Sequence, residues 1–439
     1  MSQNLLRKEF LRYVSLNVSG MIGLSCYIVA DTFFISRGLG VAGLAALNLA
    51  IPVYSVLHGC GLMLGLGGAA RYSIRKSQQD HEQADHTFTV TVGMALALAV
   101  IFVLLGATAS APITRLLGAD ATVFSMTKTY VTVLLLFSPA FLLNDVLLCF
   151  VRNDGDPRRS MLAMVGGSLS NILLDYVLIF PLGLGMFGAV FATGLAPIIS
   201  LRILSPHWRR ADRGFHLIRW TRPWKTMGRI FSLGFPSLVT ELASGIVILV
   251  LNGILLDLAG NVGVAAYGVI ANISLVVVAV YTGIGQGSQP LFSRAYGAGQ
   301  QDTTTKLLQY ALLAVTGISL VLYGVIYCFA DSIAQLFNHE QNVQLKEIAT
   351  TGLRIYFTAG LFCGSNILLS MFFSATERAW PGQIISMLRG FVLIIPLAYL
   401  FSQKWGLIGV WLAFPVTELA VSLLGCSLIR TGRKIRWKK

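Results

Sequence analysis

The sequence predicts an all-α membrane protein of twelve transmembrane helices arranged as two pseudo-symmetric six-helix bundles. Three observations predict it. The 439 residues are 55% hydrophobic and only 12% charged, with a mean hydropathy of +0.72. The apolar residues fall in continuous runs of about 20 or more, the length that crosses hydrocarbon as a helix. A strongly basic stretch divides those runs into two sets of six, and landmarks in the first set recur in the second. Barrel strands are excluded, because they would alternate inward and outward over about ten residues. In lipid each backbone N–H needs an internal partner, which leaves helices.

The first set of helices is placed near 11–36, 42–70, 86–111, 126–150, 160–182 and 186–204. The second set is placed near 227–256, 262–290, 305–330, 345–374, 383–402 and 406–429. The first apolar run outlasts a signal-peptide core and lacks a clear small-residue cleavage site, so it reads as a retained span. Between the sets lie Arg202, Arg209, Arg210, Arg213, Arg219, Arg222, Lys225 and Arg229 against one acid, Asp212. Such a stretch crosses a bilayer poorly. It reads as a cytoplasmic linker, with the bundles at 1–212 and 213–439.

The remaining cations agree on one orientation. Arg7, Lys8, Arg12, Arg71, Arg75, Lys76, Arg152, Arg158, Arg159, Arg294, Arg378 and the cluster Arg430 to Lys439 share one side if both termini are cytoplasmic. The opposite loops hold only Arg37, Arg115, Lys128, Lys346 and Lys404. This is the positive-inside pattern of a cell (inner) membrane protein, and Trp208, Trp220, Trp224, Trp380 and Trp437 crowd the same side as interfacial aromatics do. The net charge of +14 therefore reads as topology, with membrane lipid rather than nucleic acid as the surroundings.

The halves read as repeats. Gly65-Leu66-Gly67-Gly68 before Arg71 matches Gly283-Ile284-Gly285-Gln286-Gly287 before Arg294, offset 218. Pro157 matches Pro381 at 224, and Gly185 matches Gly406 at 221. Six spans per half make the repeat parallel, about an axis along the membrane normal, as suits a transporter that rocks around a central cavity. The glycine runs lack the strand and acid of a dinucleotide fold and no Walker sequence is present; they read as close helix packing. Cys26, Cys60, Cys149, Cys328, Cys363 and Cys426 show no pairing or metal spacing and read as small apolar fillers.

Chemistry concentrates in acids within the spans, where a charged side chain costs about 2.5–3.5 kcal/mol on insertion scales. Asp31 lies late in span 1, either as a cation site or as a helix-end acid reaching the interface near Arg37. Asn17, fourteen residues earlier, returns to nearly the same helix face. Asp175 lies deeper in span 5, and Asn171 is its i−4 neighbour on one face. An amide, a carboxylate and a hydroxyl from Thr193 in span 6 are hard ligands suited to H+ or Na+; the alternative is a satisfied interhelical hydrogen bond. Asn144, Asp145 and Glu241 are candidate substrate contacts, Glu418 a possible second acid of the C-terminal bundle, and His58 a packed polar group. The repeat sets Asn252 opposite Asp31 and an apolar residue opposite Asp175, so coupling is expected in the N-terminal bundle alone.

At these residues the chain resembles the multidrug and toxic compound extrusion (MATE) family, in its MepA-like branch. The likeness rests on Asp31-Thr32-Phe33-Phe34-Ile35 closing span 1, the glycine-rich end of span 2, Arg152-Asn153-Asp154-Gly155-Asp156-Pro157 after span 4, and the Asn171/Asp175 pair. It implies a MATE-type fold and export of amphipathic, often cationic drug-like molecules by a probable monomer, in exchange for H+ or Na+ and without a cofactor or catalytic residue. It maps the coupling site onto Asp31, Asn171, Asp175 and Thr193, which are metal ligands only if the ion is Na+. Span 1 has no proline, so any bend in it falls to Gly20 or Gly23. A lipid-linked oligosaccharide flippase shares the architecture but would line its cavity with several arginines, which the predicted spans almost lack. An intramembrane transferase would need clustered aspartates for Mg²⁺, and no Asp-Asp-x-x-Asp sequence occurs.

Overall fold

The computed structural model describes residues 3–219, 223–338 and 341–434, with side chains through 429. Trp220, Arg222, Arg436, Trp437, Lys438 and Lys439 lie outside the described residues, as do the side chains of Arg430, Arg433 and Lys434. The helices are α1 Gln3–Ser77, α2 His81–Thr108, α3 Ser110–Leu116, α4 Phe124–Leu136, α5 Ser138–Asn153, α6 Pro157–Ile179 and α7 Gly185–Leu204 in the first half. In the second half they are α8 Trp224–Gly297, α9 Gln301–Phe337, α10 Val343–Tyr356, α11 Gly360–Ala375, α12 Ala379–Met387 and α13 Ile394–Lys434. Among the described residues there is no strand.

Among the described residues nine helical units are long and apolar enough to span a membrane, if α4 and α5, bent by 52°, count as one. Three of the nine double back at a glycine: α1 at Gly40, α8 at Gly260 and α13 at Gly406. Twelve spans result, as the sequence predicts. The protein is a multi-pass membrane protein. Gly40 (φ 66°, ψ −157°) and Gly260 (φ 59°, ψ −153°) sit in a backbone region open essentially to glycine alone. Span 1 is helical throughout, with Gly20 packed on Met164 and Gly23 on Val165. Neither glycine bends it here.

The turns carry the repeat more faithfully than the sequence landmarks do. Left-handed residues pair across the halves as Gly40 with Gly260, Gln79 with Gly299, Gly118 with Gln341, Gly155 with Glu377, and Gly185 with Gly406, at offsets of 220 to 223. Three of the ten are not glycine, so residue identity hides the correspondence that the backbone keeps.

Each half has its own apolar core, with an exchange between them. Leu6, Phe10, Tyr13 and Val14 of span 1 pack into the core of the second half, while Ile230 of α8 packs into the first. Two glycines make the exchange possible. A Cβ on Gly67 would strike the backbone of Ile230 and Gly234, and one on Gly287 would strike Tyr13 and Val14. These are the same contact in the two repeats, and close packing is indeed what the glycine runs serve.

The hydrogen bonds and ion pairs joining the halves among the described residues lie toward the end that carries the termini. Asn17 Nδ2 donates to the Gly283 carbonyl at 3.0 Å, and Gln289 Nε2 to the Leu66 carbonyl at 3.0 Å. Arg71 pairs with Glu377 at 3.3 Å and Arg294 with Glu9 at 2.6 Å. A Cβ on Gly245, Gly253 or Gly268 of α8 would meet nothing within 4 Å.

Two cations thus depart from the reading as solvated loop charges. Arg71 is buried against Glu377, and Arg152, only 2% exposed, ends α5 inside the interface. Asn17 joins Arg152 and Gly283 rather than the Asp31 site, because it lies four turns nearer the terminal end than Asp31.

The linker leaving α7 is held to the first half. Phe215 is buried among Phe88, Phe150, Tyr72 and Trp208. Asp154 accepts hydrogen bonds from Tyr72, Lys76, His207 and the Gly214 amide. Burial alone would push this carboxyl up, but these donors outweigh it and hold it well below the usual carboxylate range. The anchor is therefore fully present above that range and is lost only as pH falls through the lowered value. His216 and Ile218 donate backbone N–H bonds to Asp85 and Thr89, so the attachment runs past residue 212.

Gly40→Ala is expected to destabilise by about 1–3 kcal/mol, since an alanine must enter a strained backbone region, whereas Gly253→Ala, in open space on a regular helix, is not. Thermal midpoints in detergent check this; equal midpoints for both variants would contradict it.

Candidate cation site and interbundle cleft

Span 1, α4, α6 and α7 bring the predicted residues together. Asp31 is 6% exposed, Asp175 and Asn171 are fully buried, and Thr193 is 4% exposed. The Asp31 and Asp175 carboxyl groups adjoin, close enough to share a hydrogen bond. Asn171 lies one turn before Asp175 on α6. With its amide oriented to suit its neighbours, Nδ2 donates to Asp175 Oδ2 at 3.1 Å and Oδ1 accepts from the Thr193 N–H at 3.2 Å. One oxygen of each acid, Oδ1 in both, is buried with no hydrogen-bond partner. Asp31 thus points into the bundle, away from Arg37, which lies over the Phe33 ring.

Two tyrosines complete the chamber. Tyr130 of α4 reaches Thr193 and the acid pair. Tyr27, one turn before Asp31, bonds hydroxyl to hydroxyl with Tyr54 at 2.9 Å. The i−4 spacing of Tyr27 and Asp31 was a signal in the sequence; nothing there marks Tyr130. Among the described residues no three His, Cys, Asp or Glu side chains gather as a metal cluster. Two carboxyls with an amide and a hydroxyl instead suit one proton or one monovalent cation.

A second cleft lies between the halves, lined by Leu66, Glu241, Gln286, Gln289, Met371 and Arg389 among others. It combines apolar side chains with a few polar groups, the usual make-up of a small-molecule site. Glu241 faces it. Asn144 and Asp145 are not among its lining residues; Asn144 is half-buried and Asp145 is engaged by His58 at 3.0 Å. His58 is thus one member of an ion pair.

The second half holds a charge pair that the sequence reading did not assemble. Arg389, on the π-helical turn Leu388–Val392, donates to Glu418 Oε1 at 2.8 Å, and Asn366 donates to Glu418 Oε2 at 2.7 Å. Glu418 does face the bundle interior, with its charge balanced. A further buried guanidinium, Arg152, donates to Asn17 and Gln286 oxygens and has no acid among its hydrogen-bond partners. It ties α5 to span 1 and α8 at the closed end.

A family model described as MatE matches residues 18–177 and 236–400. The chain belongs to the MatE family. The multidrug export protein MepA of Staphylococcus saprophyticus subsp. saprophyticus is 26% identical over 389 residues, 88% of this chain and 85% of that protein. Among solved structures, an outward-facing multidrug resistance MATE family transporter of the MOP superfamily superposes with a TM-score of 0.91 at 26% identity, covering 97% of this chain and 95% of that one. A MOP superfamily transporter from Pyrococcus furiosus, described as having a binding pocket of reverse polarity that suggests a different function, also gives 0.91, at 25% identity and 99% and 97% coverage. The polarity of the cleft in this MatE protein is that of Glu241 opposite a neutralised Arg389.

Arg152→Met is expected to loosen the closed end, because it orphans the buried Asn17 and Gln286 oxygens at about 1–3 kcal/mol each. Cysteines placed at Glu9 and Arg294, in a background without native cysteines, check it by cross-linking. Yield falls severalfold in the variant; an unchanged yield would contradict the role of Arg152.

Proposed function

We propose that this chain is a multidrug efflux transporter of the cell membrane that exports amphipathic, cationic compounds by antiport with H+ or Na+. The observation that carries it is the adjoining buried carboxyls of Asp31 and Asp175, each with an unpartnered oxygen, in a bundle whose hydrogen bonds and ion pairs to its twin gather toward one end. Two carboxylates side by side repel unless a proton or cation stands between them. Their occupancy is therefore a switch that packing can sense. MepA's name and the MATE structures support drug-like molecules as cargo.

In this reading the two bundles, divided at 212/213, rock about the cleft, and both termini are cytoplasmic. The closed terminal end then faces the cytoplasm and the cleft opens outward. An ion enters at Asp31, Asn171, Asp175 and Thr193 and neutralises the acid pair. The N-terminal bundle repacks, the cleft releases its cargo, and the closed-end contacts of Arg71, Arg152 and Arg294 break as the bundles rock inward. The ion leaves to the cytoplasm, and the bare acid pair favours return with new cargo. One charge crossing 100 mV supplies about 2.3 kcal/mol, which sustains roughly a fifty-fold gradient of a neutral substrate. The protein acts as a monomer surrounded by lipid, with no cofactor and no catalytic residue. Glu241 attracts the substrate cation. Asp145 and Asn144 stand behind it, out of the cleft lining.

The flippase reading is the weaker one. Arg389 is the single arginine lining the cleft, and its charge is already met by Glu418, which leaves little for a pyrophosphate.

Everted vesicles test the proposal with H+ and Na+ gradients imposed separately. Drug uptake follows one of the two gradients; Asp31→Asn and Asp175→Asn lose the response by at least tenfold, and Asn252→Ala keeps it. Uptake indifferent to both gradients, or equal losses in all three variants, would overturn it.

A further inference from the structure

His58, Asp145 and Glu241 make a second titratable cluster, at the place where the two halves meet. His58 Nδ1 and Asp145 Oδ2 are 3.0 Å apart, with side chains 14% and 7% exposed. A Cβ on Gly59 would lie 3.2 Å from Glu241 Cβ, so span 7 brings its acid against span 2 immediately beside the imidazole. The Glu241 carboxylate lines the cleft and accepts no hydrogen bond among the described residues. Tyr54 stacks on the imidazole, ring centroids 5.6 Å apart. From the elements packed on His58, the charged groups acting on it are Asp145 of α5 and Glu241 of α8. None of the three is a member of the Asp31 site.

An imidazolium here serves both carboxylates. It satisfies Asp145 directly and faces Glu241 across the bundle boundary. A substrate ammonium or phosphonium entering the cleft meets Glu241, the acid of this cluster that lines it. Two cations and two acids in a low-dielectric wall place the imidazolium and the substrate in opposition, since each raises the cost of the other. Histidine is the side chain whose ordinary titration lies in this pH range. We infer that His58 is the resident counter-cation of the substrate site, and that a cationic substrate binding at Glu241 expels the His58 proton to water. The charge balances: one positive charge enters and one proton leaves. This rests on the exporter reading, and it makes His58 a determinant of how cargo affinity varies with pH, separate from the Asp31 and Asp175 ion.

The test is equilibrium binding of tetraphenylphosphonium, a cation that does not titrate, to the purified full-length protein between pH 6.5 and 8.5. In the wild type, affinity falls by about tenfold from pH 8.5 to 6.5, within the roughly hundredfold ceiling that one competing proton sets. His58→Gln flattens the dependence. His58→Lys, a fixed cation, binds weakly at every pH. The comparison is repeated in an Asp31→Asn/Asp175→Asn background, which removes the ion site's own titration, and there too His58→Gln abolishes the slope that remains. A His58→Gln variant with the wild-type slope, or a His58→Lys variant binding as tightly as wild type at pH 8.5, would overturn the inference while leaving the exporter reading intact. A wild type that binds no tetraphenylphosphonium at any pH would remove that reading and this inference together.

Discussion

Two acids that cannot both be charged and alone are the constraint on which the rest of the structure depends. Asp31 and Asp175 come from different helices and meet in a wall of α4, α6 and α7 that shuts out lipid. Among the described residues no cation pairs with either one, and Asn171 and Thr193 offer only neutral hydrogen bonds. Contrast Glu418, whose charge is met by Arg389 and whose second oxygen is met by Asn366. Glu418 of the second bundle is neutralised within that bundle; the acid pair of the first is left open to a mobile ion. That difference makes one half of a symmetric fold the responsive half.

The other half of the design is an interface whose hydrogen bonds and ion pairs gather toward one end. Gly67 and Gly287 bring span 2 onto span 7 and span 8 onto span 1 at backbone contact, and the ion pairs of Arg71 and Arg294 flank them. Close glycine contacts gain dispersion energy without side-chain entropy, and they are lost together when the helices separate. Exposed ion pairs such as Glu9 with Arg294 add modestly. An interface built this way is stable yet divisible, as alternating access requires. The chain leaving α7 is fixed to the first half by Phe215 and Asp154.

Much of this was legible in the sequence, and the reasons differ by residue. The twelve spans follow from apolar run length, and Asp31, Asn171, Asp175 and Thr193 were found because ionisable groups are rare in such runs. The i, i+4 spacing of Asn171 and Asp175 survives folding unchanged. What failed was long-range: Asn17 and Asp31 share a helix face, yet packing sends one to the bundle interface and the other to the ion chamber. Arg71 and Arg152 looked like loop cations because their partners, Glu377 and Gln286, lie hundreds of residues away. His58 looked solitary for the same reason. The pairing of left-handed turns across the repeat was hidden because Gln79, Gln341 and Glu377 stand where the other half has glycine.

The central claim, that Asp31 and Asp175 together hold one exchangeable monovalent cation, is tested most directly by infrared difference spectroscopy of carboxyl groups in the purified protein. With Na+ absent at neutral pH, the wild type should show one protonated carboxyl, lost in both Asp31→Asn and Asp175→Asn. Added Na+ either removes that signal, naming sodium as the ion, or leaves it, naming the proton. Two ionised carboxylates that respond to neither Na+ nor pH, or a signal that survives both substitutions, would contradict it.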